Sequence, residues 1–163
     1  MRILIAILLT GFGATAIVDA WALLRRHLFQ IALPDYGLVG RWLGYLPRGQ
    51  FVHARIAATP PLRGERVLGW TAHYLIGIAF AALVPLAWGE AWLRHPTLLP
   101  ALSVGVATVL APFLLMQPGM GAGIAASRTP RPARARMHSL ATHAVFGLGL
   151  YASAWPVAVL VLR

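Results

Sequence analysis

The chain of 163 residues contains no cysteine, no lysine and no asparagine, and its only carboxylates are Asp19, Asp35, Glu65 and Glu90. The missing cysteine excludes disulfides, thiolate metal sites and cysteine nucleophiles, and it leaves the redox compartment open. All fourteen basic residues are arginine, the pattern of GC-rich codon usage, so no chemistry attaches to Arg over Lys. The shortage of charge decides more. With 11% charged and 59% hydrophobic residues there is too little polar surface to cover a soluble globule, and the chain belongs in a bilayer. Its formal charge of +10 sits on arginines placed between long apolar runs rather than on an amphipathic scaffold. That arrangement points to anionic lipid headgroups as partners and away from nucleic acid.

What is present is four apolar stretches, residues 3–24, 67–89, 98–117 and 139–162. Each reaches the roughly 20 residues that cross about 30 Å of hydrocarbon as a helix. Pro85, Pro112 and Pro156 fall inside them and read as kinks, because neighbouring groups in a membrane re-satisfy the freed carbonyls. The expected fold is all-α: a single integral membrane domain over 1–163, a four-helix bundle with a long cytoplasmic loop carrying an interfacial helix. A cleaved secretory signal over the first stretch is the alternative. Arg2 alone precedes that stretch whereas Arg25 and Arg26 follow it, an asymmetry that favours an uncleaved helix.

Arginines sort the loops. Residues 25–66 hold seven and 118–138 hold four, whereas the N-terminus, the turn at 90–97 and the C-terminus hold one each. By the positive-inside rule the two rich loops are cytoplasmic and both termini periplasmic, in a bacterial inner membrane. Within the long loop, PDYG at 34–37 reads as a turn. GLVGRWLGYLPRG at 37–49 then spaces Leu38, Val39, Trp42, Leu43 and Leu46 as one helical face. Arg41, Trp42 and Arg48 are placed against lipid headgroups, with a lid over the bundle as the alternative. The run RTPRPARAR at 128–136 reads as an extended, solvated loop.

These segments together resemble an uncharacterised family of small bacterial membrane proteins known only as a domain of unknown function. The likeness rests on VGRWLGYLPRG, AHYLIGIAFAAL, PFLLMQPGMGAGIAASRTP and THAVFGLGLY and covers nearly the whole length. It implies a multi-helix inner-membrane protein and implies no activity.

Ionisable residues within spans are costly and are candidate sites for that reason. Asp19 lies six residues before Arg25, His73 seven after Arg66 and His143 seven after Arg136, which puts all three about 9–11 Å inside the same boundary. Gly11, Thr15 and Asp19 share a helical stripe, as do His73, Gly77 and Ala81, and His143 and Gly147. Small residues beside polar ones let helices approach, so Asp19, His73 and His143 are expected to converge, with Gln117 ending the third span near their level. The same residues have a plainer reading, in which they only lock helix packing. The repeated His-x-x-x-Gly hints at a duplicated hairpin.

In MQPGMGAG, Pro118 and Gly119 end the third span. Gly119, Gly121 and Gly123, followed by Arg128, could also form an anion-binding rim of backbone amides. No nucleotide motif is present, since the glycines follow a membrane helix and position 124 is isoleucine.

The function expected is binding or conduction of a small polar or anionic solute, or protons, through the cytoplasm-facing polar layer. A carboxylate with two imidazoles exchanges protons near neutral pH or binds a divalent metal, although no local metal motif supports the metal. Four spans call for a homodimer to enclose a full pathway. The alternatives are a structural or accessory subunit that binds lipid or a partner protein, and a redox protein with His73 and His143 ligating haem. No serine has a base and orienting acid nearby, so no catalytic residue is assigned, and no cofactor is expected.

Overall fold

In the computed structural model, which describes residues 1–162, the chain is all-α, with no strand among the described residues. Helix α1 is Arg2–Phe29, α2 Tyr36–Tyr45, α3 Glu65–Trp88, α4 Ala91–Arg94, α5 Leu98–Ala107, α6 Gln117–Gly119 and α7 Pro132–Val161. Four helical stretches are long and apolar enough to cross a membrane: Arg2–Phe29, Glu65–Trp88, Leu98–Gly119 and Pro132–Val161. At most 39% of the apolar window of any of them is buried. Leu4, Leu8, Phe12, Leu75, Leu86, Leu99 and Leu160 are exposed, a surface that a bilayer solvates and water does not. At 28 residues, α1 is ~42 Å long, more than the roughly 30 Å of a bilayer's hydrocarbon, and Arg25, Arg26 and His27 lie in its last two turns.

The helices continue through Pro85 and Pro156, as expected of kinks. Around Pro112 the ladder changes more: α5 stops at Ala107, two turn residues follow, and Pro112–Met116 is a wider π turn that leads into α6. Proline lacks an amide proton and its ring pushes away the carbonyl one turn back, so the bonds around it lengthen to five residues. The extended course expected for RTPRPARAR is corrected. Helix α7 begins at Pro132, because proline at the first helical position loses no bond and its fixed φ already suits the helix.

The residues form two compact units. The first comprises 1–33, 74–108 and 141 onward, that is α1, α4, α5 and the apolar lengths of α3 and α7. Its core is Ala6, Ala14, Val18, Ala81, Val84, Leu93, Val104, Phe146, Leu150 and Ala154 with their neighbours. Small residues set the helix crossings. A Cβ on Gly11 would strike the Ile78 backbone of α3, one on Gly149 would press against Ala14 of α1, and one on Gly105 would run into the Gly147 backbone of α7. Gly105→Ala is expected to cost about 1–2 kcal/mol, since a backbone neighbour cannot swing aside as a side chain can. Denaturant unfolding of the purified protein in detergent measures it. Arg94 closes this unit at its other end, donating to the Leu162 carbonyl at 2.7 Å.

The second unit comprises 34–73 and 109–140. Asp35 caps α2, its carboxylate accepting from the Gly37 amide at 2.9 Å, which turns PDYG into a helix start. Gly40 of α2 lies on the backbone of Glu65 and Gly69, and Gly69 lies on the Tyr36 carbonyl, so the two helices touch backbone to backbone.

Candidate functional site

In the first unit Thr15 and Asp19 lie on the face where α1 meets α3. Thr10 and Thr15 are each 1% exposed, and the Thr15 hydroxyl donates back to the Gly11 carbonyl at 2.8 Å, which satisfies it without a second helix. Gly77 provides the space opposite, because a Cβ there would occupy the position of the Thr15 Oγ1. One turn further along, Asp19 is half-buried and its Oδ2 accepts from the Tyr74 hydroxyl at 2.9 Å. The Tyr74 ring is held by Phe12, with centroids 4.9 Å apart. The stripe of Gly11, Thr15 and Asp19 therefore faces α3, as the small residues indicated.

His143, half-buried on α7, meets Thr108 of the same unit, with Nδ1 to Oγ1 at 2.9 Å. That hydroxyl donates its one proton to the Gly105 carbonyl at 2.6 Å, so toward His143 it can only accept. The imidazole then carries its proton on Nδ1, leaving Nε2 as the nitrogen that takes up or releases a proton. The sequence reading missed both Tyr74 and Thr108. A phenol next to His73 and a threonine within a span were signals, but nothing local says which carboxylate or imidazole either one serves.

In the second unit His73 lies in an aromatic setting, stacked on Tyr36 with centroids 4.1 Å apart and edge-on to Trp70 at 5.9 Å. Gln117 reaches the Ser139 hydroxyl through Nε2 at 3.5 Å, while its Oε1 is buried without a partner. Among the described residues no three of His, Asp and Glu are grouped to hold a metal ion.

The glycines after Gln117 have a packing task. The His53 amide donates to the Gly119 carbonyl at 2.8 Å and the Ile56 amide to Met120 at 3.1 Å, so residues 53–56 run alongside the helix exit. Gly119 lies under Trp42, and Gly121, at φ +94°, lies against the Ala54 carbonyl. Any side chain at 121 would be strained by its backbone as well as blocked. The Gly121 amide donates to the Pro118 carbonyl, so this donor of the expected rim is engaged within the turn, and the neighbouring Ala122 amide donates to Gln117. Gly123 takes φ +75° and packs on Arg128, an exposed residue.

Arg41, expected at the headgroups, turns inward. Its Nε and Nη2 grip the two oxygens of Glu65 at 2.8 and 2.7 Å, and Nη1 reaches the Thr59 carbonyl at 2.8 Å. The Leu62 amide also donates to Glu65, at 2.8 Å. The hydrogen bond to that carboxylate holds the Arg41 guanidinium above its usual pKa. Trp42 donates its indole N–H to the Phe51 carbonyl at 2.9 Å, and Arg48 lies 5.1 Å from the Tyr45 ring centroid. One charged fork thus ties α2, the start of α3 and the strap between them.

These features define an all-α protein with four helices of membrane-spanning length and polar pairs within them. The chain belongs to the family described as protein of unknown function (DUF2938), whose model matches residues 8–157. No curated protein and no solved structure matches it.

Proposed function

We propose that this is a multi-pass bacterial inner-membrane protein that binds or conducts a small polar or anionic solute, or protons, by way of Asp19 and His143. The observation that carries the reading is the Tyr74–Asp19 hydrogen bond inside an apolar helix pair, because a carboxylate at such a place is costly unless it is used or tightly paired. His143 strengthens it, with Thr108 orienting the ring and Nε2 left for proton exchange. Asp19 is the carboxylate partner and His143 a titrating group. His73 and Gln117 are further polar ligands. The Arg-rich loops face the cytoplasm, both termini the periplasm, and Trp42 and Arg48 lie near headgroups. A homodimer completes the pathway.

The test is flux into proteoliposomes carrying an internal pH dye, under an imposed proton gradient and with candidate anions outside. The wild type should exceed empty vesicles, and Asp19→Asn and His143→Ala should fall to within a few per cent of them. Wild-type flux equal to that of empty vesicles for protons and for every anion overturns the reading. Because the chain has no cysteine, single cysteines introduced at exposed Arg55 and Arg131 report sidedness directly by impermeant labelling from either face.

A further inference from the structure

Two donors near the end of α1 are buried without acceptors. Arg25 retains 8% of its surface, and its Nε has no hydrogen-bond partner. Trp21, one turn earlier on the same helix, has its indole Nε1 buried and equally unpartnered. The Arg25 guanidinium carbon lies 5.7 Å from the Trp21 ring centroid, so the two side chains occupy one place. Both groups only donate: neither guanidinium nor indole N–H has a lone pair to offer the other. Stacking a cation on the ring attracts the charge but satisfies neither N–H. Among the described residues no carboxylate forms an ion pair with Arg25.

We infer that Trp21 and Arg25 form a binding site for a phosphate group. An arginine whose Nε–H is buried and unmet beside an unmet indole N–H calls for an acceptor that is anionic and has several oxygens, and the guanidinium fork matches phosphate geometry. Exposed Arg26 and His27 in the same last turn add positive potential around the site. The phosphate comes either from a lipid headgroup, which the position of Arg25 past the apolar run of α1 favours, or from a free phosphate in solution. This site stands apart from Asp19 and does not depend on its role.

The experiment uses the full-length protein, delipidated in an uncharged detergent and phosphate-free buffer, with thermal unfolding and tryptophan emission as readouts at constant ionic strength. One arm titrates inorganic phosphate. The other titrates bicelles containing phosphatidylglycerol against bicelles of an uncharged glycolipid. A saturable rise in midpoint is expected in at least one arm, at least tenfold weaker in Arg25→Gln and several-fold weaker in Trp21→Phe, which keeps the ring and loses the N–H. Arg25→Lys, which keeps charge but lacks Nε, should recover only part, and Arg26→Gln, which removes background potential but no contact, should weaken binding far less than Arg25→Gln. Saturation by the lipid alone assigns a headgroup site, and saturation by inorganic phosphate assigns a solute site. No saturation in either arm, or saturation unchanged in both Trp21→Phe and Arg25→Lys, overturns the proposal, and both variants keep an aromatic ring or a long cationic side chain in place.

Discussion

Arg41→Ala is expected to open the strap between α2 and α3 to trypsin at Arg55 and Arg63, both exposed residues. The Arg41 and Glu65 side chains are 12% and 18% exposed, and the guanidinium makes both bonds of the fork as well as the one to Thr59. Removing it leaves a carboxylate facing the Leu62 amide with no cation. Breaking a fully buried pair costs about 3–5 kcal/mol and an exposed one about 0–1, so roughly 2–4 kcal/mol is expected here. Where opening is fast relative to cleavage, that is a rise in cleavage rate of ~30-fold or more. Arg41→Lys should recover less than half of the loss, since an ammonium cannot make the two-pronged contact. The double replacement Arg41→Met with Glu65→Leu should be milder than either single change, because no charge is then left stranded. An unchanged cleavage rate in Arg41→Ala would show that the strap is held by something else.

Tyr74→Phe in the first unit is expected to cost about 1.5–3 kcal/mol, the range for a hydrogen bond to a charged group. Much less should be lost when Asp19 is already asparagine. The phenol donates to Asp19 Oδ2 at 2.9 Å, and the ring stays anchored on Phe12 after the hydroxyl is gone. The cycle of Tyr74→Phe and Asp19→Asn, followed by unfolding in detergent, should show a coupling of at least 1 kcal/mol. Additive effects would mean that the bond contributes nothing and that the carboxylate is held elsewhere.

Local signals reached a long way. Hydropathy placed all four long helices, and the 3.6-residue stripe of Gly11, Thr15 and Asp19 picked out the α1 face that packs on α3 at Gly77 and Ala81. The regular apolar spacing of residues 38–46 marked α2, whereas Asp35, read as part of a turn, proves to be its N-cap. What stayed hidden is non-local. The Arg41 to Glu65 fork joins residues 24 apart, and Thr108 meets His143 across 35 positions. In an arginine-rich loop, lipid is the default partner for any one arginine, so nothing in the local pattern singled out Arg41 for Glu65. The glycines of MQPGMGAG had a legible need for freedom, but the backbone of residues 53–56 that presses on them lies some 65 positions earlier. The early start of α7 was legible in principle, since Pro132 followed by Ala-Arg-Ala-Arg is a helix opening as much as an extended loop.

The central claim, that Asp19 is a working carboxyl reached by protons from water while it sits within the span, has one direct measurement. Infrared difference spectra of the protein in lipid, recorded between neutral and acid pH, report carboxyl groups, and with four acidic side chains the assignment is tractable. The account expects a protonated-carboxyl band that grows on acidification, shifts in heavy water and disappears in Asp19→Asn, with its position altered in Tyr74→Phe. Wild-type and Asp19→Asn difference spectra that superimpose across the whole pH range would contradict it, because Asp19 would then be a silent packing group.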